Sequence, residues 1–319
     1  MKELTIDKTT AGQRLNKYLL KYFKNATSSF IYKMLRKKNI VLNGKKATGS
    51  EMLKEADKIK VFFSDETFEK MRGVAAAKAN AHRLDRLPVK PLSIVYEDED
   101  ILVVNKPAGL LSQGAKEGDD SVNSRLLAYL WKDKKITEES FALFHPSVVN
   151  RLDRNTSGLV LAGKTLAGTQ MLTEEIRNHS SQKYYHCFVA GRLEKECKLR
   201  DYLIKDPAQN RVFVRKDKTI GALEIKTDVT PLEVFEDYTY VRVHLLTGRT
   251  HQIRAHLSFA GYPVIGDPKY GNREVNERFC KKYNVRRQLL HAAEYVMSDG
   301  RAFRAQEPEL FRQLRNKKG

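Results

Sequence analysis

The sequence predicts an α+β protein with a small basic N-terminal part and a larger domain behind it. Three observations predict this. Two short amphipathic helical patterns and a hairpin occupy the first sixty or so residues. From Leu92 onward, apolar and alternating strand patterns recur, separated by helical stretches and turns. At 319 residues with 41% hydrophobic content, the chain is long enough to bury one large core and one small one.

In the small part, Gly12 to Tyr22 carries Leu15, Leu19 and Tyr22 at helical spacing. After Asn25-Ala26-Thr27, Ser28 or Ser29 is placed to cap a second helix, Phe30 to Lys38. Ile31, Met34 and Leu35 face inward on it. Lys33, Arg36, Lys37 and Lys38 crowd the other side. Ile40-Val41-Leu42 reads as a short strand, Asn43-Gly44 as a hairpin turn, and Ile59 to Phe63 as a closing strand. Residues 64–91 read as a linker: charged, poor in large apolar residues, with an alanine-rich patch from Val74 to Ala79.

The larger domain opens near Leu92 with two apolar strands around an acidic turn, broken at Asn105-Lys106-Pro107-Ala108-Gly109. Lys106 is placed either for a phosphate or for structure. The stretch around which the chain is organised is VVNRLDRNTSGLVLAGKT, Val148 to Thr165. Leu159 to Ala162 reads as a buried strand, fed by a tight turn at Thr156-Ser157-Gly158. Asp153 lies just before that turn, with Arg151 and Arg154 on either side. Neighbouring cations favour an ionised carboxylate, and loops set on a rigid sheet are where reacting groups sit. The plainer alternative is a structural Asp–Arg pair at a strand edge. A similar hexapeptide, Ala81 to Arg86 (AHRLDR), lacks the turn and the strand, so Asp85 reads as a solvated linker residue.

Further on, Leu166 to Ile176 reads as a helix. KYYHCFVAGR alternates, with Tyr185, Cys187 and Val189 on one face. Tyr238 to Leu246 is another alternating strand, turned by Thr247-Gly248 into a helix from about Thr250 to Ala260. His251 and Arg254 are three apart and predict one shared helix face. His251 and His256 are five apart and do not share a face, which argues against a metal pair.

Charge narrows the function. Lys and Arg number 58 against 39 acids, a net of +19. In the first sixty residues cations outnumber acids about threefold. Such a field attracts a polyanion, RNA or DNA. Cys187, Cys197 and Cys280 form neither a disulfide framework nor a zinc-ligand spacing. No apolar stretch approaches membrane-spanning length, and no signal-peptide core opens the chain. No membrane association is expected, and a reducing cytoplasm is. No Walker-type or dinucleotide glycine loop is visible, so no nucleotide cofactor is expected, and the Cys and His spacings predict no metal.

NRLDRNTSGLVLAGKT resembles the catalytic motif of the RluA-type pseudouridine synthases, usually His-Arg-Leu-Asp-x-x-Thr-Ser-Gly before an apolar strand. Asn150 stands where that family commonly has His; it cannot titrate. Lys183, Tyr185, Val189 and Gly191 are similar to a second family pattern, and TGRTHQIRAHLSFAGYPVIGDPKYG to a third. QLLHAAEY, around His291, resembles a further stretch. The pieces RLNKYLL, SSFIYKMLRKKNIVLNGKK and ADKIKVFF resemble the alpha-L RNA-binding motif.

The resemblance implies a mixed, mostly antiparallel catalytic sheet over residues 92–319 and an alpha-L domain over residues 1–63. It implies an isomerase that breaks a uridine's N-glycosidic bond, turns the uracil and rejoins it through carbon five. The uridine would be flipped out of folded RNA into a pocket. Asp153 would be the catalytic carboxylate, Arg254 its charge partner and Tyr185 a ring stacked on the uracil. Arg151 would fill the gap left by the flipped base. Arg249, Lys33, Arg36, Lys37 and Lys38 would contact phosphates. Large-subunit ribosomal RNA is the expected partner of a chain expected to be monomeric. Transfer RNA is the alternative substrate, and a non-catalytic RNA-binding ribosome assembly factor the alternative class.

Overall fold

The computed structural model describes residues 1–72, 84–116, 118–206, 208–209 and 211–316. The small part begins with β1 (Lys2–Thr5), a strand the sequence pattern does not announce. Helix α1 (Leu15–Tyr22) buries Leu15, Tyr18, Leu19 and Tyr22. It starts later than its periodicity suggests, because Gly12 sits at φ +81° and Arg14 bridges to Met52. Helix α2 (Ser28–Arg36) is capped by Thr27, whose side chain accepts from the Phe30 N–H, not by either serine. A threonine oxygen satisfies the same orphan N–H one position earlier.

Strands β2 (Ile40–Leu42) and β3 (Lys45–Lys46) are joined by Asn43 and Gly44. Both turn residues have positive φ, 49° and 73°, which the twist of a two-residue hairpin requires. β4 (Lys58–Val61) completes an antiparallel sheet of order β1-β4-β2-β3. Helix α3 (Asp65–Arg72) then occupies the start of the expected linker. Phe68 is its one buried anchor, packed against Tyr22 and Phe23 at ring-centroid distances of 6.1 and 5.3 Å. The alanine-rich patch and residues 81–83 lie outside the described residues. Beyond them Leu84 is buried, while Asp85 is exposed and accepts from the Trp131 indole N–H at 2.8 Å.

The larger part runs β5 (Ile94–Glu97), β6 (Ile101–Lys106), α4 (Val122–Lys132), α5 (Glu138–Leu143), β7 (Ser147–Val148) and β8 (Ser157–Gly163). Next come α6 (Leu166–Arg177), β9 (Gln182–Ala190), β10 (Cys197–Asp206), β11 (Arg211–Arg215), β12 (Leu223–Val234) and β13 (Tyr238–Leu245). The chain closes with α7 (Gln252–Phe259), α8 (Arg273–Tyr283), β14 (Leu290–Val296), β15 (Ala302–Arg304) and α9 (Glu309–Arg315). Among the described residues the strands form one sheet of order β11-β10-β12-β13-β9-β14-β8-β6-β5, with β15 on β14 and β7 on β8. Every pairing is antiparallel except β8 with β14. The protein is therefore mixed α+β with a mostly antiparallel sheet.

Every residue of β8 is buried, which explains its unbroken apolar run. Val160 and Ala162 face Leu126 and Leu130 of α4. Leu159 and Leu161 face Tyr295 and Phe303. Each large apolar side chain buried this way contributes roughly 1.5–3 kcal/mol. At the parallel junction Gly158 has φ +111°, and a Cβ there would lie 2.2 Å from the Ala292 carbonyl oxygen. Only glycine lets β14 come that close. The small part rests on the large one: Leu143 of α5 joins the small core, and the Leu166 N–H donates to the Thr9 carbonyl at 3.0 Å.

Candidate active site

The loop between β7 and β8 carries Asp153, and its neighbours fix it from several sides. Ser112 Oγ donates to the Leu152 carbonyl at 3.0 Å and accepts the Leu152 N–H at 2.9 Å. The Gly109 N–H donates to the Arg154 carbonyl at 2.7 Å. Lys106 is fully buried, and its Nζ donates to the carbonyls of Pro107, Leu110 and Arg154 at 3.1, 2.8 and 3.1 Å. All three ammonium donors are used, so Lys106 is a staple between two loops and not a phosphate ligand. Burial pushes its pKa down to about 8, with the Asp153 charge opposing. Asn150 also turns out structural. Its side chain accepts from the Leu161 N–H at 2.8 Å and donates to the Leu159 carbonyl at 3.2 Å. It thus binds the loop to β8 with an amide that holds no titratable proton.

Asp153 does not pair with the arginines beside it in sequence; Arg151 and Arg154 are both exposed. Its ion-pair partners among the described residues come from the start of α7. Arg254 Nη1 donates to Asp153 Oδ2 at 2.7 Å, and His251 Nε2 lies 3.8 Å from Oδ1. The rest of the guanidinium grips a second carboxylate. Arg254 Nε and Nη2 donate to Asp267 Oδ2 and Oδ1 at 2.6 and 2.8 Å. This forked contact leaves one edge of the guanidinium free to face Asp153. Asp267 is 1% exposed and also accepts the N–H groups of Lys269 and Tyr270. Despite burial, the Arg254 partner and these N–H donors hold its carboxyl below the ordinary range.

His251 is not on the α7 face that the three-residue spacing predicts. It sits before the helix at φ 53°, ψ 16°, in the left-handed region. The turn swings its ring toward Asp153 from outside the helix, so His251 and Arg254 reach the same carboxylate by different routes. Tyr185 is half-buried on β9 between two apolar clusters. Desolvation pushes its hydroxyl pKa well up, and the Asp153 charge pushes the same way. At neutral pH it therefore keeps its proton. Lys33, Arg36, Lys37, Lys38 and Arg249 are all exposed. His256 points away, toward Thr227 Oγ1 at 2.9 Å and Asp201 Oδ2 at 3.0 Å.

A family model described as RNA pseudouridylate synthase matches residues 100–259, a span that includes Asp153, Tyr185 and Arg254. The ribosomal large subunit pseudouridine synthase C of Vibrio cholerae is 30% identical, with 91% of this chain and 86% of the relative aligned. The chain belongs to the RNA pseudouridylate synthase family. The protein of the same name from Yersinia pestis is 32% identical over 91% of this chain and 85% of its own. Among solved structures, human RNA pseudouridylate synthase domain containing 4 has a TM-score of 0.56 at 19% identity, covering 75% of this chain and 95% of its own. Human domain containing 1 has a TM-score of 0.55 at 23% identity, covering 70% and 86%. Both show the shared fold.

Three features of this pseudouridine synthase escape the sequence. Asp267 is thirteen residues from Arg254, and nothing local in Gly266-Asp267-Pro268 announces an ion pair. The turn that presents Asp267 needs its glycine: Gly266 has φ +77°, and a Cβ there would lie 2.2 Å from the Arg287 carbonyl oxygen. The left-handed geometry of His251 and the strand-binding role of Asn150, which reaches backbone nine and eleven residues on, are likewise not announced by residue type.

Proposed function

We propose that this synthase isomerises specific uridines in large-subunit ribosomal RNA, with Asp153 as the reacting carboxylate. The observation that carries this reading is the Asp153–Arg254 contact at 2.7 Å, on a loop fixed by Lys106, Ser112 and Asn150. A reacting group must be held by neighbours that are themselves held, and Asp153 meets that requirement. The relatives' names support ribosomal RNA as the substrate, and the net charge of +19 supports a polyanionic one.

In this reading the N1–C1′ bond breaks, the uracil turns, and C5–C1′ forms. Carbon five loses its proton and N1 gains one, so the step needs no outside reactant. Asp153 meets the sugar–base linkage, where charge changes most. Arg254 holds Oδ2, while Oδ1, beside the His251 ring, keeps a lone pair for the substrate. Tyr185 lies against the uracil, its retained proton available to a carbonyl. Arg151 fills the gap left by the flipped base. Residues 1–63 act as an RNA-targeting domain, joined through 64–91 to the catalytic domain at 92–319. Lys33, Arg36, Lys37 and Lys38 hold phosphates there, and Arg249 does so beside the site. The enzyme works as a cytoplasmic monomer.

The test is to map pseudouridines in ribosomal and transfer RNA from cells with and without this chain. Ribosomal positions that disappear support the reading. Losses confined to transfer RNA reassign the substrate, and an unchanged map in both rejects it.

A further inference from the structure

His251 has an unusual backbone, a largely covered ring and no capping duty. Its φ of 53° places a non-glycine residue in the left-handed region, where histidine is tolerated better than most residues. At the N-cap of α7 its side chain makes no hydrogen bond to the helix. The ring instead lies between two polar partners. Nδ1 lies 3.0 Å from Tyr270 Oη, and Nε2 lies 3.8 Å from Asp153 Oδ1.

The partner of Tyr270 decides which ring nitrogen carries the proton. Tyr270 Oη accepts the Val212 N–H at 2.9 Å, and Tyr270 is buried. The Val212 N–H takes up lone-pair capacity on that oxygen and leaves its O–H to donate, with His251 Nδ1 in reach at 3.0 Å. A neutral imidazole that accepts at Nδ1 carries its proton on Nε2. That proton faces the one oxygen of Asp153 that Arg254 does not hold. The opposite tautomer would set a bare lone pair against a carboxylate oxygen. Burial lowers the His251 pKa below the ordinary histidine value; Asp153 and Asp267 oppose this, while Arg254 and Lys269 add to it.

We propose that His251 is a positioning residue, a second donor to Asp153 whose tautomer is set by Tyr270. The chain of groups runs from the Val212 N–H through Tyr270 Oη–H and the imidazole to Asp153 Oδ1. Arg254 and His251 then hold separate oxygens of one carboxylate and fix its rotation. The 3.8 Å separation exceeds a hydrogen bond; contacts of this kind close when substrate fills the pocket. The inference rests on Asp153 being the reacting carboxylate.

The experiment measures single-turnover rate at saturating RNA, RNA affinity and unfolding midpoint for His251→Asn, Tyr270→Phe, their double variant and Asp153→Asn. Asparagine tolerates the left-handed backbone, so His251→Asn keeps the turn. It should lose rate about ten- to a hundredfold, the loss expected for one hydrogen bond to a charged group, with RNA affinity unchanged. Tyr270→Phe should lose part of the same rate, and the double variant should be no slower than His251→Asn. A normal rate in His251→Asn, additive losses in the double variant, or lost affinity with normal turnover would overturn the proposal. If Asp153→Asn is inactive while His251→Asn is normal, this inference fails alone. If Asp153→Asn is active, the reading beneath it fails as well. Nitrogen-15 shifts of His251 in the unaltered enzyme give a measurement independent of folding in the variants. A protonated Nε2 is expected, and a protonated Nδ1 rejects the proposal.

Discussion

Asp153 and Arg254 stand 101 residues apart in sequence and 2.7 Å apart at their side-chain atoms. Neither arginine adjacent to Asp153 takes that place. The consequence for activity is direct. Asp153→Asn should lower tritium release from carbon-five-labelled uridine by at least about a thousandfold, the scale on which removal of a reacting group acts. RNA affinity should stay near normal. Asp85→Asn, at an exposed carboxylate on Trp131, should stay within about twofold of the unaltered enzyme. An inactive Asp85→Asn beside an active Asp153→Asn would move the site to the other hexapeptide.

Arg254 is shared between Asp153 and a fully buried Asp267. Arg254→Ala leaves both carboxylates uncompensated, and breaking a buried pair costs about 3–5 kcal/mol. The expected result is a lower unfolding midpoint together with lost turnover. Arg254→Lys restores a charge but not the fork that spans two carboxylates, so it should recover stability better than rate. A phosphate clamp predicts the reverse: weaker RNA binding and near-normal turnover at saturation. Parallel affinity and single-turnover measurements separate the two.

The exposed cations of α2 and the residues after it offer a test of RNA targeting. Replacing Lys33, Arg36, Lys37 and Lys38 with Gln should weaken RNA binding and reduce the slope of log affinity against log salt by about three, since each phosphate contact releases close to one counterion. Substitution is a cleaner test than deletion of residues 1–63. That deletion would expose Phe68 and Leu143, which belong to the small core. An unchanged salt slope in the fourfold variant would reject this face as an RNA contact.

His291 predicts a pH dependence of stability. It is fully buried against Ser157 Oγ at 2.9 Å, and desolvation lowers its pKa to about 4. The unfolded chain holds this histidine near 6.5, so between about pH 4 and 6.5 the unfolded state binds more protons. Stability from this group is present above about pH 6.5 and is lost as pH falls toward 4, by about 3 kcal/mol in total. His291→Asn should flatten that part of the unfolding-midpoint profile. A profile of unchanged steepness would show that other groups set it.

Much of the fold was legible because local rules and burial agree. β8, β9, β13 and the Asn43-Gly44 turn lie where periodicity and turn chemistry put them. β1 was not legible, because its four residues pair only with β4, more than fifty residues away. α3 reads as linker because a single buried Phe68 anchors it. At the candidate site, sequence motifs pick out Asp153 and Arg254. They do not show the second carboxylate on Arg254, nor that Asn150 binds strand backbone. Those contacts span nine to thirteen residues, beyond a single helical turn or tight hairpin, and neither composition nor spacing encodes them.

The parallel junction of Gly158 with Ala292 has a consequence for how the enzyme is made. β8 can pair with β6 and β7 as soon as they have been synthesised, but the start of its second edge, Ser157 and Gly158, waits for β14, more than 120 residues later. Arg254 and Asp267 also come after the loop they must meet. Contacts of such long sequence separation form late in folding, and synthesis delivers them late as well. The surroundings of Asp153 are therefore incomplete until Arg254, Asp267 and the C-terminal strands have emerged.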